Sequence, residues 1–164
     1  DHNNIKAVAG NPFLIQGPGE YEVKEVFVKG IASFHDEKQG KERGENTIYI
    51  IETEDLRICH LGDLGQKELT EEQMEGIGEV DVLMLPVGGV YTISSQEALK
   101  VMSQIEPKIT IPMHYALPKL KYKLDGVDKF LKILGIKSLA SLEKLTVKKN
   151  ALSGEEAKVV VLNS

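Results

Sequence analysis

At 164 residues, with 41% hydrophobic and 27% charged side chains, the chain has the make-up of one globular domain with room for a sizeable core. A net charge of -5, with basic residues scattered along the sequence, offers no stripe for nucleic-acid phosphates. No apolar run approaches the roughly 18 residues of a membrane helix. The single cysteine, Cys59, excludes an internal disulfide and points to a reducing, cytoplasmic compartment. Within Leu56-Arg57-Ile58-Cys59 it reads as a small buried hydrophobe without chemistry of its own.

The first half of the chain reads as β structure. Short apolar runs at 13–16, 21–23 and 26–34 predict strands, with Gly17-Pro18-Gly19 as the turn between the first two. A polar stretch, 36–45, precedes two further strands at 46–52 and 56–61, joined by a tight turn at Thr53-Glu54-Asp55. The second half alternates. A helix is predicted at 67–75, a strand at 80–85 and a helix at 94–105. Ser94 as N-cap and Glu97 three residues on form a capping box for that second helix. Pro107 ends it and a strand follows at 108–111, so the two strands around it should be parallel. A third helix at 126–134 and closing strands at 145–148 and 157–162 complete an α/β reading, with helices covering a sheet. No linker or repeat divides residues 1–164.

The chemistry gathers at strand ends. His35 follows the strand 26–34, Asp63 follows 56–61 through Gly62, and His114 follows the strand that begins at 108. Ligands of open α/β sheets collect outside the carboxyl ends of the strands, so these residues should converge although they are far apart in sequence. Each alone has a bland reading: a hydrogen-bonded histidine, or an Asp serving a glycine-flanked turn. Three together point to a metal site. Imidazoles mixed with carboxylates suit zinc, manganese or iron, and one carboxylate has two oxygens for two ions. Asp1-His2 adds a further contribution.

Five segments carry a resemblance: Asp1-His2-Asn3-Asn4, Ala32-Ser33-Phe34-His35-Asp36, His60-Leu61-Gly62-Asp63-Leu64-Gly65, Leu85-Pro86-Val87-Gly88-Gly89 and Ile111-Pro112-Met113-His114-Tyr115. In this order they resemble the metallo-β-lactamase fold superfamily, in its branch of metal-dependent hydrolases that includes the ascorbate-6-phosphate lactonases. The resemblance implies a four-layer αβ/βα sandwich with two metal ions at one edge. It implies His35 as a ligand of the first metal, Asp63 as the bridging carboxylate, and His114 with Asp1 and His2 as ligands of the second. The family's first motif is His-x-His-x-Asp-His, and the chain opens on its last two residues. It therefore reads as the larger, C-terminal part of a hydrolase domain, N-terminally truncated. One ion at most, weakly held, is expected where the complete site holds two.

The activity so implied is attack of a metal-bound hydroxide on a lactone, ester, amide or phosphodiester, impaired in this chain, with Asp1 orienting the nucleophile or moving its proton. A small-molecule substrate follows, with neither nucleic acid nor membrane as partner. Self-association, or association with the absent N-terminal segment, is expected to cover the exposed sheet. The alternative is a metal-poor, non-catalytic binding or structural module that keeps the fold. Among the neighbouring residues, His60 is assigned a supporting role, Tyr115 is expected to point away from the site, and Lys119 to Lys123 reads as a solvated turn. In the polar stretch 36–45, Lys41 or Arg43 is a candidate for meeting an anionic substrate.

Overall fold

The computed structural model describes residues 8–118, 120–152 and 156–163. Its frame is one seven-stranded mixed sheet whose spatial order follows the chain, from β1 to β7. Strands β1 (Gly19–Val23) and β2 (Val26–Phe34) form an antiparallel hairpin with Val23 opposite Val26. Its two-residue turn holds Lys24 and Glu25 at φ 50° and 65°, in the left-handed form that matches strand twist. A second hairpin joins β3 (Glu45–Thr53) to β4 (Leu56–His60), with Glu54 and Asp55 in the same conformation. The turn at 53–55 is thus where the sequence places it.

From β4 onward the sheet is parallel: β5 (Val82–Pro86), β6 (Ile109–Met113) and the short β7 (Lys158–Val159). The predicted parallel pair is β5 and β6, with α2 (Ser95–Ile105) as their crossover. Its capping box is present as read: the Ser94 hydroxyl accepts from the Glu97 amide, and the Glu97 carboxylate accepts from the Ser94 amide. Helix α1 (Glu71–Ile77) begins later than the predicted 67, because Thr70 and Gln73 form a second capping box there. Helix α3 (Val127–Ile133) falls within its predicted range.

The three helices lie on one face, where Ile48, Ile50, Cys59, Leu61, Leu83 and Leu85 pack with Ile77, Val101 and Phe130. The period of two along β3, β4 and β5 sends these side chains to the helical side. Burial pushes the Cys59 thiol up to about 12, which suits a core hydrophobe and not a thiolate. On the opposite face Leu145, Val147, Leu152 and Leu162 pack over Val82, Ile109 and Ile111. Lys149 holds this cover down by bonding both oxygens of the buried Asp81 at 2.8 and 2.7 Å. The described residues thus supply one sheet and one helical layer of the αβ/βα sandwich.

Two predicted strands are not strands. Among the described residues, 145–148 pair with no strand and act as apolar cover; the bridge from Leu142 to Leu162 lies nearby. Residues 13–16 run as irregular chain, with Phe13 exposed, and Tyr49 holds them from below. The Tyr49 hydroxyl accepts from the Gly17 amide at 3.1 Å and donates to the Ile15 carbonyl at 3.5 Å. Apolar content alone does not make a strand where no neighbour offers a ladder of hydrogen bonds.

Candidate metal centre

Because β2, β4 and β6 run in the same direction, their carboxyl ends meet on one edge of the sheet, as the sequence implies. His35, Asp63 and His114 leave these ends and line one cavity of about 850 Å³. The His35 Nε2 stands 3.7 Å from Asp63 Oδ2, and the His114 Nε2 stands 3.9 Å from Asp63 Oδ1. The carboxylate therefore sits between two imidazoles and faces each with a different oxygen. Among the described residues, no group of three or more His, Cys, Asp and Glu side chains surrounds a single point as ligands of one ion. What the geometry offers is a carboxylate shared between two half-sites. Asp1 and His2, assigned to the second metal by the resemblance, lie outside the described residues.

The backbones of Asp63 and His35 and the ring of His114 are each held by their surroundings. At Asp63 the main actor is Asn46, whose Oδ1 accepts from the Asp63 amide at 2.9 Å. Its Nδ2 donates to Ser33 Oγ at 2.7 Å and to the Leu61 carbonyl at 2.9 Å. One amide thus ties β2, β3 and the turn after β4 together. Gly62 has φ 59°, and any Cβ there would overlap the Asn46 carboxamide. At His35, the backbone is held from both sides: its amide donates to the Gly44 carbonyl at 3.1 Å, and Gly65 lies directly on its carbonyl with no room for a Cβ. At His114, Gly88 packs equally closely on the carbonyl. His114 itself adopts φ 52°, a conformation that costs a non-glycine residue about 1–3 kcal/mol and here turns the ring into the cavity. Its Nδ1 lies 3.4 Å from the Thr92 hydroxyl, which leaves Nε2 for the Asp63 side.

His60 lines the same cavity on the face opposite Cys59, as alternation along β4 predicts. Its Nδ1 accepts from the Gly62 amide at 3.0 Å. Burial lowers its pKa below the usual imidazole range, against the pull of the Asp63 charge. A neutral ring with its proton on Nε2 follows from those two facts, and it supports the turn that carries Asp63. Tyr115 points away from the site, its hydroxyl 3.5 Å from the Leu162 carbonyl.

The polar stretch 36–45 is no loose loop. Asp36 is buried and accepts backbone N–H bonds from Lys38, Gly40, Glu42 and Arg43 at 2.7, 3.0, 3.0 and 2.7 Å. Burial works to raise its pKa, but those bonds outweigh burial and leave it below the ordinary carboxylate value. Sequence reading missed Asn46, Thr92 and Asp36 as organisers of the site. Only Asn46 left a trace, as a residue disfavoured in strands at the head of β3.

The donor set suits a divalent cation. Two imidazole nitrogens and a carboxylate converge from rigid strand ends, with side-chain exposures of 12%, 29% and 27% that leave them reachable from solvent.

Comparison with known proteins agrees with this reading. Residues 1–114 match the family described as the β-lactamase superfamily domain. A metal-dependent hydrolase of the UPF0173 group from Pyrococcus horikoshii is 34% identical over 98 residues, covering 59% of this chain and 44% of its own. A similar protein from Staphylothermus marinus is 35% identical over 100 residues, covering 59% of this chain and 40% of its own. The chain thus spans less than half the length of these curated relatives. A crystal structure from Thermotoga maritima, classed as a zinc-dependent hydrolase of the metallo-β-lactamase superfamily, aligns over 99% of this chain and 77% of its own. It does so at 41% identity with a TM-score of 0.75. The metallo-hydrolase Igni18 of Ignicoccus hospitalis aligns over 90% of this chain and 56% of its own, at 20% identity and a TM-score of 0.56, a likeness of fold.

Proposed function

The chain belongs to the β-lactamase superfamily, and on that premise we propose that it carries the metal-holding edge of a hydrolase acting on a small-molecule lactone, ester, amide or phosphodiester. The observation that carries the proposal is the Asp63 carboxylate, facing His35 with one oxygen and His114 with the other inside one cavity. His35 and Asp63 would hold one cation, and Asp63 and His114, with Asp1 and His2, the other. Zinc fits the donors first, with manganese or iron(II) as compatible substitutes. Bound there, such a cation supplies a nucleophilic water at neutral pH and polarises the oxygen of the group being cleaved.

The chain's own residues do the rest. Asn46 fixes the backbone that carries Asp63 by accepting from its amide. Thr92 holds His114 Nδ1, so the other ring nitrogen faces the carboxylate. Asp1 is assigned to orient the attacking water and take up its proton. The cavity wall, formed by Leu14, Ile15, Thr47 and Tyr49, is mixed apolar and hydroxylic, which suits a small organic substrate.

The test is zinc binding measured by competition with a chromophoric chelator, run beside hydrolysis of a panel of lactones, esters, amides and phosphodiesters. Asp63→Asn and His114→Ala should each weaken zinc binding by at least about 10-fold, the low end of what loss of a mere supporting contact costs. Undiminished binding in both variants would remove the assignment. Binding lost in both variants without turnover of any substrate by the unaltered chain would leave a metal-binding edge and refute hydrolysis by this chain alone.

A further inference from the structure

Three histidines, His35, His60 and His114, line the cavity of the metal centre, and their ring nitrogens are not set alike. A histidine that ligates a metal needs a lone pair on the nitrogen facing the ion, with the proton on the other nitrogen. His114 can meet that condition, with Nδ1 beside the Thr92 hydroxyl and Nε2 beside Asp63.

His60 is set the other way. Its Nδ1 accepts from the Gly62 amide at 3.0 Å, so that nitrogen has its lone pair engaged and carries no proton. The proton of the neutral ring is therefore on Nε2. The same bond disfavours a doubly protonated ring, because an Nδ1–H would face the Gly62 N–H. His60 is thus neither a ready metal ligand nor a proton carrier. It is a fixed, neutral donor.

That donor has no acceptor in the protein. Among the described residues, no group accepts from the His60 Nε2, and the atom is not sealed away but open to the cavity that His60 lines. Neighbouring polar groups are already engaged. Tyr49, opposite His60 on β3, bonds Gly17 and Ile15 through its hydroxyl at 3.1 and 3.5 Å. Asn46 commits its carboxamide to Asp63, Ser33 and Leu61. The backbone under His60 is rigid, since β4 is paired on one side with β3 and on the other with β5. The ring stands close enough to the centre for the Asp63 charge to act on it. A preset donor in a half-buried site gains more from a ligand oxygen than it would in open water.

We propose that the His60 Nε2–H binds an oxygen of the substrate beside Asp63, holding it by a hydrogen bond and keeping its proton. The proposal rests on the hydrolase reading and adds to it a residue that determines specificity. The substrate must present an acceptor oxygen, carbonyl, ester or phosphoryl, to the strand floor of the cavity.

Two replacements divide the ring between them. In His60→Asn the side-chain oxygen can still accept from the Gly62 amide, but no donor reaches the place of Nε2. In His60→Gln the terminal amide brings a donor to that place, and the acceptor at Nδ1 is lost. The first measurement is a two-bond proton–nitrogen NMR spectrum of the histidine-labelled full chain in chelator at neutral pH. The ring signal missing from His60→Asn should be neutral with its proton on Nε2. A proton on Nδ1, or on both nitrogens, would overturn the proposal. The second is kinetics at saturating zinc on whichever lactone, ester, amide or phosphodiester the unaltered chain hydrolyses. In His60→Asn kcat/KM should fall at least about 10-fold, the loss of one hydrogen bond to substrate, and in His60→Gln by less. Zinc binding by His60→Asn should match that of the unaltered chain. A histidine that only supports the Asp63 turn predicts the reverse order, and that order, or equal losses, overturns the proposal. Zinc binding weakened in His60→Asn as in Asp63→Asn would make His60 a ligand and overturn it as well. Unchanged kinetics in His60→Asn refutes this proposal alone, whereas turnover of no substrate by the unaltered chain refutes the hydrolase and this proposal with it.

Discussion

Asn46 joins Ser33, Leu61 and Asp63 through one carboxamide, so its removal strands partners on three segments at once. Asn46→Ala should lower stability by about 1–3 kcal/mol in urea unfolding, the cost of leaving semi-buried polar groups unmet. Zinc affinity of the folded protein should also fall by about 10–100-fold, since Asp63 loses the contact that orients it. A stability loss with unchanged affinity would make Asn46 structural only. The glycines beside the site work by absence. Gly65→Ala would place a methyl group on the His35 carbonyl, and the backbone must move to make room. The cost should be about 1–3 kcal/mol, read as a lowered urea midpoint, with altered amide shifts at His35 rather than in the distant α3.

At the scale of elements, the hairpins and the capped helices follow local rules, and so do their expected responses. Glu97 accepts from both the amide and the hydroxyl of Ser94 at 2.8 Å and neighbours Lys67. Burial works to raise its pKa, but the Ser94 bonds and Lys67 outweigh it, and the net shift is downward. A carboxylate with a lowered folded pKa stabilises fully above its unfolded value, near about 4.3, and that contribution fades as the pH falls through the folded value. Hydrogen-exchange protection in the first turn of α2, taken relative to the intrinsic rate at each pH, should therefore be flat at neutral pH and fall below about pH 4. In Glu97→Gln protection should be lower at neutral pH, and its acid-induced fall should be smaller. An unchanged acid profile in that variant would assign the acid sensitivity to another group. Helix α1 shows the same logic from the other side. Its box at Thr70 and Gln73 was legible in the sequence, but a start at 67 took in the polar residues ahead of it.

The whole molecule rests on the helical face of the sheet. Leu83 on the interior strand β5 is fully buried, whereas Leu14 on the cavity wall is 48% exposed. Leu83→Ala should cost about 2–5 kcal/mol and Leu14→Ala less than about 0.5 kcal/mol, compared by urea midpoint. Similar losses at both sites would mean that the cavity wall, too, is part of the cooperative core. The far face is only partly covered. Its lower half lies under the segment containing Leu145, Val147 and Leu152, while its upper half opens into the cavity of the metal centre. The same sheet thus buries one face for stability and leaves the carboxyl edge of the other available for chemistry.

Much of this was legible in the sequence because its causes are local. Short apolar runs marked β2, β3 and β4, a capping box marked α2, and His35, Asp63 and His114 each followed a strand whose end could be read. Parallel strands joined by a helix place those ends on one edge, so the candidate site could be assembled before any coordinates. Tertiary structure alone decided the rest. Whether the apolar segments 13–16 and 145–148 become strands depends on neighbours, and among the described residues none pairs with them. How Asp63 and His114 are held depends on Asn46, which accepts from the Asp63 amide, and on Thr92, which lies against His114 Nδ1, and both reach the site from other strands and loops. Local signals write the elements, but the aim of a side chain is set by contacts distant in sequence.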